Sequence, residues 1–376
     1  MRVLICADAF KDAADASAVC QAIGRGIHQV CPTARLDLCP LADGGEGTAR
    51  ILSSQLGAQW ISTHALDPLN RPVEAGFGWL AASRTALLDM AEASGLQYLA
   101  PHERNPLHTS SFGTGQLLQS ALEQGAKRLY LGIGGSATND GGCGMAAALG
   151  VRFFADKQLI VHPTGKDLTR ITHIDTSDIH PLLAKADLQV LCDVHNPLLG
   201  KNGATSIYAP QKGATPNDLP TLEAGLTMLN NWWTTHLGRS LAEVPGSGAA
   251  GGLGAGLMAF CGARLIAGAD TIFDLLHLTD RLKNSNLVIT GEGRLDQQSL
   301  SGKLIGQLAR RTSKFSVPLI VLCGQLALPS AILSQHGITA AYTITPPRTP
   351  LTQALRDTTS NLTHSAARVS RHFLSS

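Results

Sequence analysis

The stretch Leu131-Gly-Ile-Gly-Gly-Ser-Ala-Thr-Asn-Asp-Gly-Gly-Cys-Gly144 constrains this chain more than any other. An apolar run at 128–131 enters it, and a small-residue helical segment at 144–149 leaves it. It holds six glycines, two hydroxyls, an amide and a carboxylate. Glycine takes positive φ at little cost and lets another group approach the main chain. A strand, a glycine turn and a helix start present backbone N–H groups of the kind that bind anions. The alternative is a tight strand-to-helix connection without a ligand, but a single turn needs only about one or two glycines. The stretch therefore reads as a phosphate or carboxylate cradle, with Gly134, Gly135, Ser136, Thr138 and Asn139 as candidate contacts. A second glycine-rich turn entering a helix, at 245–256, adds Gly248, Gly251 and Gly252.

A chain of 376 residues exceeds what one core usually serves, so two domains are expected. Lys and Arg are scattered, the net charge is +2, and only 5% of residues are aromatic. That composition offers neither a basic stripe nor a base-stacking platform, so a nucleic-acid partner is not expected. The eight cysteines include no CxxC pair, and Cys6, Cys192 and Cys323 lie in apolar runs. No zinc or disulfide framework is visible, which suits a reduced, cytoplasmic protein. The apolar start is too short for a signal peptide, and the apolar run at 247–263 is too short and glycine-broken for a membrane span.

Apolar runs near residues 2, 36, 287, 318 and 341 are each followed by a helical pattern. Continuous apolar runs suit strands buried on both faces. The first helix has Asp15 as its N-cap and Val19, Ala22, Ile23, Ile27 and Val30 on its apolar face. Strand-like runs at 60–66, 73–80 and 86–90 instead suggest an antiparallel meander. The expected fold class is α/β. A flavodoxin-like domain with a five-stranded parallel sheet, residues 1–60 and 285–376, is interrupted by a mixed α/β domain, residues 61–284. The active site is expected in the cleft between them.

Ligands of open parallel sheets bind outside the carboxyl ends of the strands. Those ends carry Asp8 and Lys11, then Asp43 and Glu46, then Glu292, Arg294 and Asp296. Taken singly, such residues are more often caps or loop ion pairs. Together on one edge they suit a metal and an anion. Asp43, Glu292 and Asp296 are the candidate metal ligands, Lys11 and Arg294 the catalytic cations, and Asp8 a substrate or phosphate contact. Lys303, following Gly302 near a helix start, is a candidate phosphate contact, although the Walker A spacing is missing. Asp193 ends an apolar strand before Asn196-Pro197. It reads either as an Asx-turn or as a carboxylate that orients a hydroxyl for phosphoryl transfer. His195 has no evident partner and more often such a residue packs or caps. No GxSxG elbow and no HExxH motif occurs.

Gly132-Ile-Gly134-Gly-Ser-Ala137 also fits GxGxxA, with Asp156 about twenty residues on, as a dinucleotide fold would need. Against this, Asn139-Asp-Gly-Gly142 would break the required helix. An NAD-dependent dehydrogenase and a non-catalytic small-anion binding protein are the alternative function classes.

Six longer segments carry a family resemblance. They are Ala42-Asp-Gly-Gly-Glu-Gly-Thr48, Gly132-Ile-Gly-Gly-Ser-Ala-Thr-Asn-Asp-Gly-Gly142, Cys192-Asp-Val-His-Asn-Pro-Leu198, Pro210-Gln-Lys-Gly-Ala214, Pro245-Gly-Ser-Gly-Ala-Ala-Gly-Gly252 and Thr290-Gly-Glu-Gly-Arg-Leu-Asp296. In composition and order the chain resembles the bacterial glycerate kinases that are neither P-loop enzymes nor of the eukaryotic type. The resemblance implies two α/β domains, ATP with Mg²⁺, and phosphorylation of D-glycerate, with the 2-phosphate as the favoured product. One departure concerns Ala7-Asp8-Ala9-Phe10-Lys11, where the family pattern is Pro-Asp-Ser, then Phe or Tyr, then Lys. Asp8 and Lys11 persist, and a hydroxyl at position 9 is missing.

Overall fold

A computed structural model describes residues 1–42, 44–300 and 304–374 of the chain. Of the residues proposed for the site, Asp43 and Lys303 lie outside them. The chain forms two units, one of Met1–Asp43 with Ala269–Ser376, the other of Gly44–Gly268.

The first unit is built on a five-stranded sheet. Its spatial order is Ala340–Thr343, Leu319–Leu326, Leu287–Leu295, Arg2–Ile5, Arg35–Leu38, and every pair is parallel. Numbered along the chain this is the flavodoxin-like order 2-1-3-4-5, which reverses between the first and third strands. Val3, Ile5, Leu287, Ile289, Ile320 and Leu322 are buried in its core. Removing each such side chain from water contributes about 1.5–3 kcal/mol. The helix Ala16–Val30 begins as the sequence suggests, with the Asp15 carboxylate accepting from Ala18 N at 2.8 Å. Its buried face presses on Thr358–Leu374 so closely that a Cβ at Gly26 would strike the Thr363 carbonyl oxygen.

One element departs from expectation. The strand expected to end at Thr290 runs on to Leu295, because Glu292 pairs with Cys323, Arg294 with Gln325 and Leu295 with Leu326. Two strands extending together keep their ladder bonds satisfied, which outweighs the weak strand preference of Gly291 and Gly293.

The second unit holds a six-stranded sheet in the order Arg264–Ile266, Asp187–Leu191, Arg128–Gly132, Thr85–Asp89, Pro72–Leu80, Gln59–Leu66. The first four strands are parallel and the last three, which share Thr85–Asp89 with them, form the expected antiparallel meander. A small antiparallel sheet joins Gln158–Ile160, Arg152–Ala155 and His173–Asp175. The helix Thr48–Leu56 packs on Pro72–Leu80 and Thr85–Asp89. The chain thus enters this unit at residue 44, earlier than the position near 60 expected from the sequence, and leaves it at 268. All eight cysteines are free. Among the described residues, no helix is long and apolar enough to cross a membrane.

Candidate functional site

In the second unit, the carboxyl ends of the parallel strands are covered by two glycine loops lying side by side. Gly134 N donates to Gly44 O at 3.1 Å. A Cβ on Gly134 would come within 2.5 Å of Gly45 Cα, and one on Gly132 within 2.6 Å of Asp89 Oδ1. Close backbone approach therefore explains Gly132 and Gly134. Gly135 differs: it is exposed, with φ of 73°, and a Cβ there would meet only ordinary contacts with Ala91 and Glu46. Gly47 also has positive φ, with no described atom near its missing Cβ. Gly135 and Gly47 thus line open backbone that a ligand can approach.

Behind this turn the groups are buried and fixed. Asp89 ends Thr85–Asp89 and accepts from Ala49 N at 2.9 Å, holding the first turn of Thr48–Leu56. Burial holds its carboxyl well above the usual range. The Asp140 carboxylate accepts from Ser111 N and Oγ, both at 2.7 Å, and from Gly142 N and Gly144 N. It therefore fixes the turn into Cys143–Ala148, while burial raises its pKa. Thr138 Oγ1, Asn139 Oδ1 and Ser247 Oγ are buried without a hydrogen-bond partner among the described residues. That is polar capacity the protein itself leaves unused.

Lys212, fully buried, lies beneath the same turn. Its ammonium donates to Ser136 Oγ at 2.6 Å and to Thr138 O at 2.7 Å. Burial lowers its pKa to about 7, against the opposing pull of Asp140. Sequence reasoning passed over this residue. Its only signal was its place in Pro210-Gln-Lys-Gly-Ala214, and nothing local shows that the side chain reaches a loop more than seventy residues away.

The two glycine stretches read as separate cradles pack on each other. Gly141 N donates to Gly251 O at 3.1 Å. A Cβ at Gly251 would collide with Thr138 O, one at Gly248 with Pro197 O, and one at Gly252 would come within 3.1 Å of Gly141 Cα. Gly248, Gly251 and Gly252 are buried, as are Thr138 and Asn139, so of these candidates Gly134, Gly135 and the edge of Ser136 reach the surface. Asp193 stands at the end of Asp187–Leu191, half-buried, its Oδ1 accepting from Gly268 N at 2.8 Å. His195 is exposed. Asp156 sits with Lys157 in the positive-φ turn joining Arg152–Ala155 to Gln158–Ile160, and residues 139–142 are not helical. Neither feature is what a dinucleotide fold requires.

In the first unit, Asp8 meets Gly291, at the start of the 291–296 segment, where the strand order reverses. Asp8 N donates to Gly291 O at 3.3 Å, and the Phe10 ring packs on Gly291. Asp8 Oδ1 accepts from Ala9 N at 2.7 Å. Lys11 is exposed. Arg294 Nε lies 3.4 Å from Asp296 Oδ2 with 62% of its side chain exposed, so the pair contributes about 0–1 kcal/mol. Asp296 Oδ1 also caps Gln297–Leu300 through Gln298 N and Ser299 N. Glu292 is half-buried on the extended strand.

Among the described residues no group of three His, Cys, Asp or Glu side chains is placed to hold a metal ion. Magnesium accompanying a nucleotide usually takes one or two carboxylates and completes its shell with phosphate oxygens and water. Glu292 and Asp296 offer hard oxygen donors of that kind, so the donor set fits.

The protein-family model that matches is described as "Glycerate kinase family" and covers residues 3–374. A glycerate kinase of Halalkalibacterium halodurans is 40% identical over 98% of this chain and 97% of its own length. The glycerate 2-kinase of Escherichia coli K12 is 39% identical over 96% of this chain and 95% of its own. A Salmonella typhimurium LT2 crystal structure, described provisionally as glycerate kinase 2, superposes with a TM-score of 0.85 at 37% identity, covering 100% of this chain and 98% of that one.

Proposed function

The chain belongs to the glycerate kinase family, and from that premise we propose that it transfers the γ-phosphoryl group of ATP to a hydroxyl of D-glycerate, with 2-phosphoglycerate as the favoured product. The observation that carries this reading is the turn at the strand ends with its exposed Gly135, backed by an ammonium and by polar atoms that have no hydrogen-bond partner among the described residues. Phosphoryl transfer asks a protein mainly for positioning and for charge stabilisation. A rigid anion-binding turn supplies both.

In this reading Asp193 orients the attacking hydroxyl, with support from its place on a rigid strand end. Lys11 and Arg294 hold anionic oxygens. Arg294 offers a planar two-pronged donor and Lys11 a point charge. Asp8, Gly134, Gly135, Ser136, Thr138, Asn139 and the 248–252 turn shape substrate and phosphate binding, and Lys303 joins them on its sequence position. Asp43, Glu292 and Asp296 would hold Mg²⁺, which when bound neutralises charge on the transferring phosphoryl group. The partners are small molecules, with neither nucleic acid nor membrane among them, and the eight free thiols suit the cytoplasm.

The test is ADP release by purified protein supplied with D-glycerate, ATP and Mg²⁺, with phosphorus NMR of the product. Glycerate-dependent ADP and a 2-phosphate signal are expected. Folded protein that releases no glycerate-dependent ADP would overturn the reading.

A further inference from the structure

We propose that Lys212 is a positioning residue that turns the Ser136 hydroxyl outward, as a hydrogen-bond donor to an anionic oxygen of a substrate held at the Gly134–Gly135 turn. The inference rests on the reading that this turn binds a substrate oxyanion. The geometry behind it is simple. A hydroxyl carries one hydrogen and two lone pairs, and an ammonium can only donate. Lys212 Nζ sits 2.6 Å from Ser136 Oγ and 2.7 Å from Thr138 O. The charged amine therefore fills a lone pair of Ser136, and the serine hydrogen is left to point elsewhere. Ser136 is itself only 9% exposed but adjoins the exposed Gly135, and in this proposal its hydrogen is directed toward that neighbour.

The neutral amine reverses the arrangement. Its own lone pair accepts the serine hydrogen, and Ser136 then shows only lone pairs to the turn. An oxyanion is repelled by that face. Burial brings Lys212 to about 7, so both arrangements are populated near neutrality. The charged side chain acting on it is Asp140, whose carboxylate is already bound by Ser111, Gly142 and Gly144. Arg104, whose backbone packs on Gly213, directs its Nε to Leu99 O. The anion is either the carboxylate of glycerate or a phosphate of ATP. The two share the oxyanion chemistry, and the kinetics separate them.

The experiment compares wild type, Ser136→Ala, Lys212→Met and the double variant by steady-state kinetics, and wild type with Ser136→Ala across pH 6 to 9. Each single change is expected to raise one KM by about ten- to a hundredfold, as loss of a charge-assisted hydrogen bond does. The double variant should be no worse than Lys212→Met, because one residue acts through the other. In wild type that same KM should climb above pH ~7, by up to about tenfold per unit, while in Ser136→Ala it should stay flat. A rise in the glycerate KM assigns the carboxylate, and a rise in the ATP KM assigns the phosphate. Additive effects in the double variant, or the same pH profile in Ser136→Ala as in wild type, would overturn the proposal and leave Lys212 a loop fastener. If Lys212→Met does not fold, the Ser136→Ala pH profile decides. If wild type turns over no glycerate, the function reading fails by itself. Calorimetric ATP and glycerate titrations in two buffers then test this proposal: proton uptake at pH 8 that Ser136→Ala abolishes supports it, and its absence overturns it.

Discussion

At the strand ends of the first unit the cations Lys11 and Arg294 stand in solvent beside half-buried acids, with Arg294 62% exposed and 3.4 Å from Asp296. At the parallel strand ends of the second unit, Lys212, Asp140 and Asp89 are buried and locked into hydrogen bonds, and the surface shows backbone and a serine edge. The first arrangement can follow a mobile ligand at little cost to the fold. The second is rigid before any ligand arrives and cannot be altered without disturbing its supports. Substitutions in the first region should therefore change kinetics alone. Those in the second should separate into catalytic and structural effects according to whether the residue reaches the surface.

The largest effect is expected at Asp193 of the second unit. Asp193→Asn keeps an oxygen able to accept from Gly268 N, so the turn survives. It loses the negative charge proposed to orient the hydroxyl. A fall in kcat of about 10² to 10⁴ with nearly unchanged thermal unfolding is expected. Early unfolding with an intact rate per folded molecule would make Asp193 a structural cap and weaken the comparison at its centre. Recovery with excess Mg²⁺ would make it a metal ligand.

Next comes Arg294→Lys in the first unit. The charge stays and the planar fork is lost. A loss in kcat/KM of about ten- to a hundredfold is expected, the scale of a charge-assisted hydrogen bond. Stability should hold within about 0.5 kcal/mol, since the side chain is exposed. Wild-type kinetics would place Arg294 outside the site.

The two glycines Gly251 and Gly135 sharpen the contrast inside the second unit. Both have positive φ, 68° and 73°. Gly251→Ala must also displace the Thr138 carbonyl, and should cost about 1–3 kcal/mol or more in denaturant unfolding. Gly135→Ala meets no such obstacle and should cost about 1 kcal/mol for its φ alone, while raising a substrate KM. Equal stability losses would show that the exposed turn is as tightly packed as the buried one.

Much of the fold was legible because its signals are local. The apolar runs at 2–7 and 287–290 announce doubly buried strands, and Asp15 announces a helix start three residues before its acceptor contact with Ala18. What stayed hidden depends on partners far along the chain. The extension of Leu287–Leu295 exists because Leu319–Leu326 extends beside it. The glycines of 246–256 look like a ligand cradle until the 138–142 backbone is seen resting on them. Lys212 looks like an ordinary surface lysine, and only the fold shows that it is buried under Ser136. Periodicity and capping report on neighbours in sequence, whereas backbone-on-backbone packing does not.

The smallest effect, and the finest test of the comparison, is at Gly293 between Glu292 and Arg294. Its φ lies outside the positive region, and no described atom comes within 4 Å of where its Cβ would be. Neither a turn nor packing within the described residues requires glycine there. A glycine inside a strand without such a reason often marks the close approach of a ligand or another backbone. Gly293→Ala should thus leave denaturant unfolding within about 0.5 kcal/mol, or raise stability slightly by restricting the unfolded chain. One substrate KM should nevertheless increase several-fold, because the new methyl occupies the approach to the main chain. An unchanged fold with unchanged kinetics would mean that substrates engage the first unit through side chains such as Arg294 alone. A destabilised protein would mean instead that this exposed edge is supported by contacts as close as those beneath Ser136, and the difference between the two regions would then be one of charge and not of rigidity.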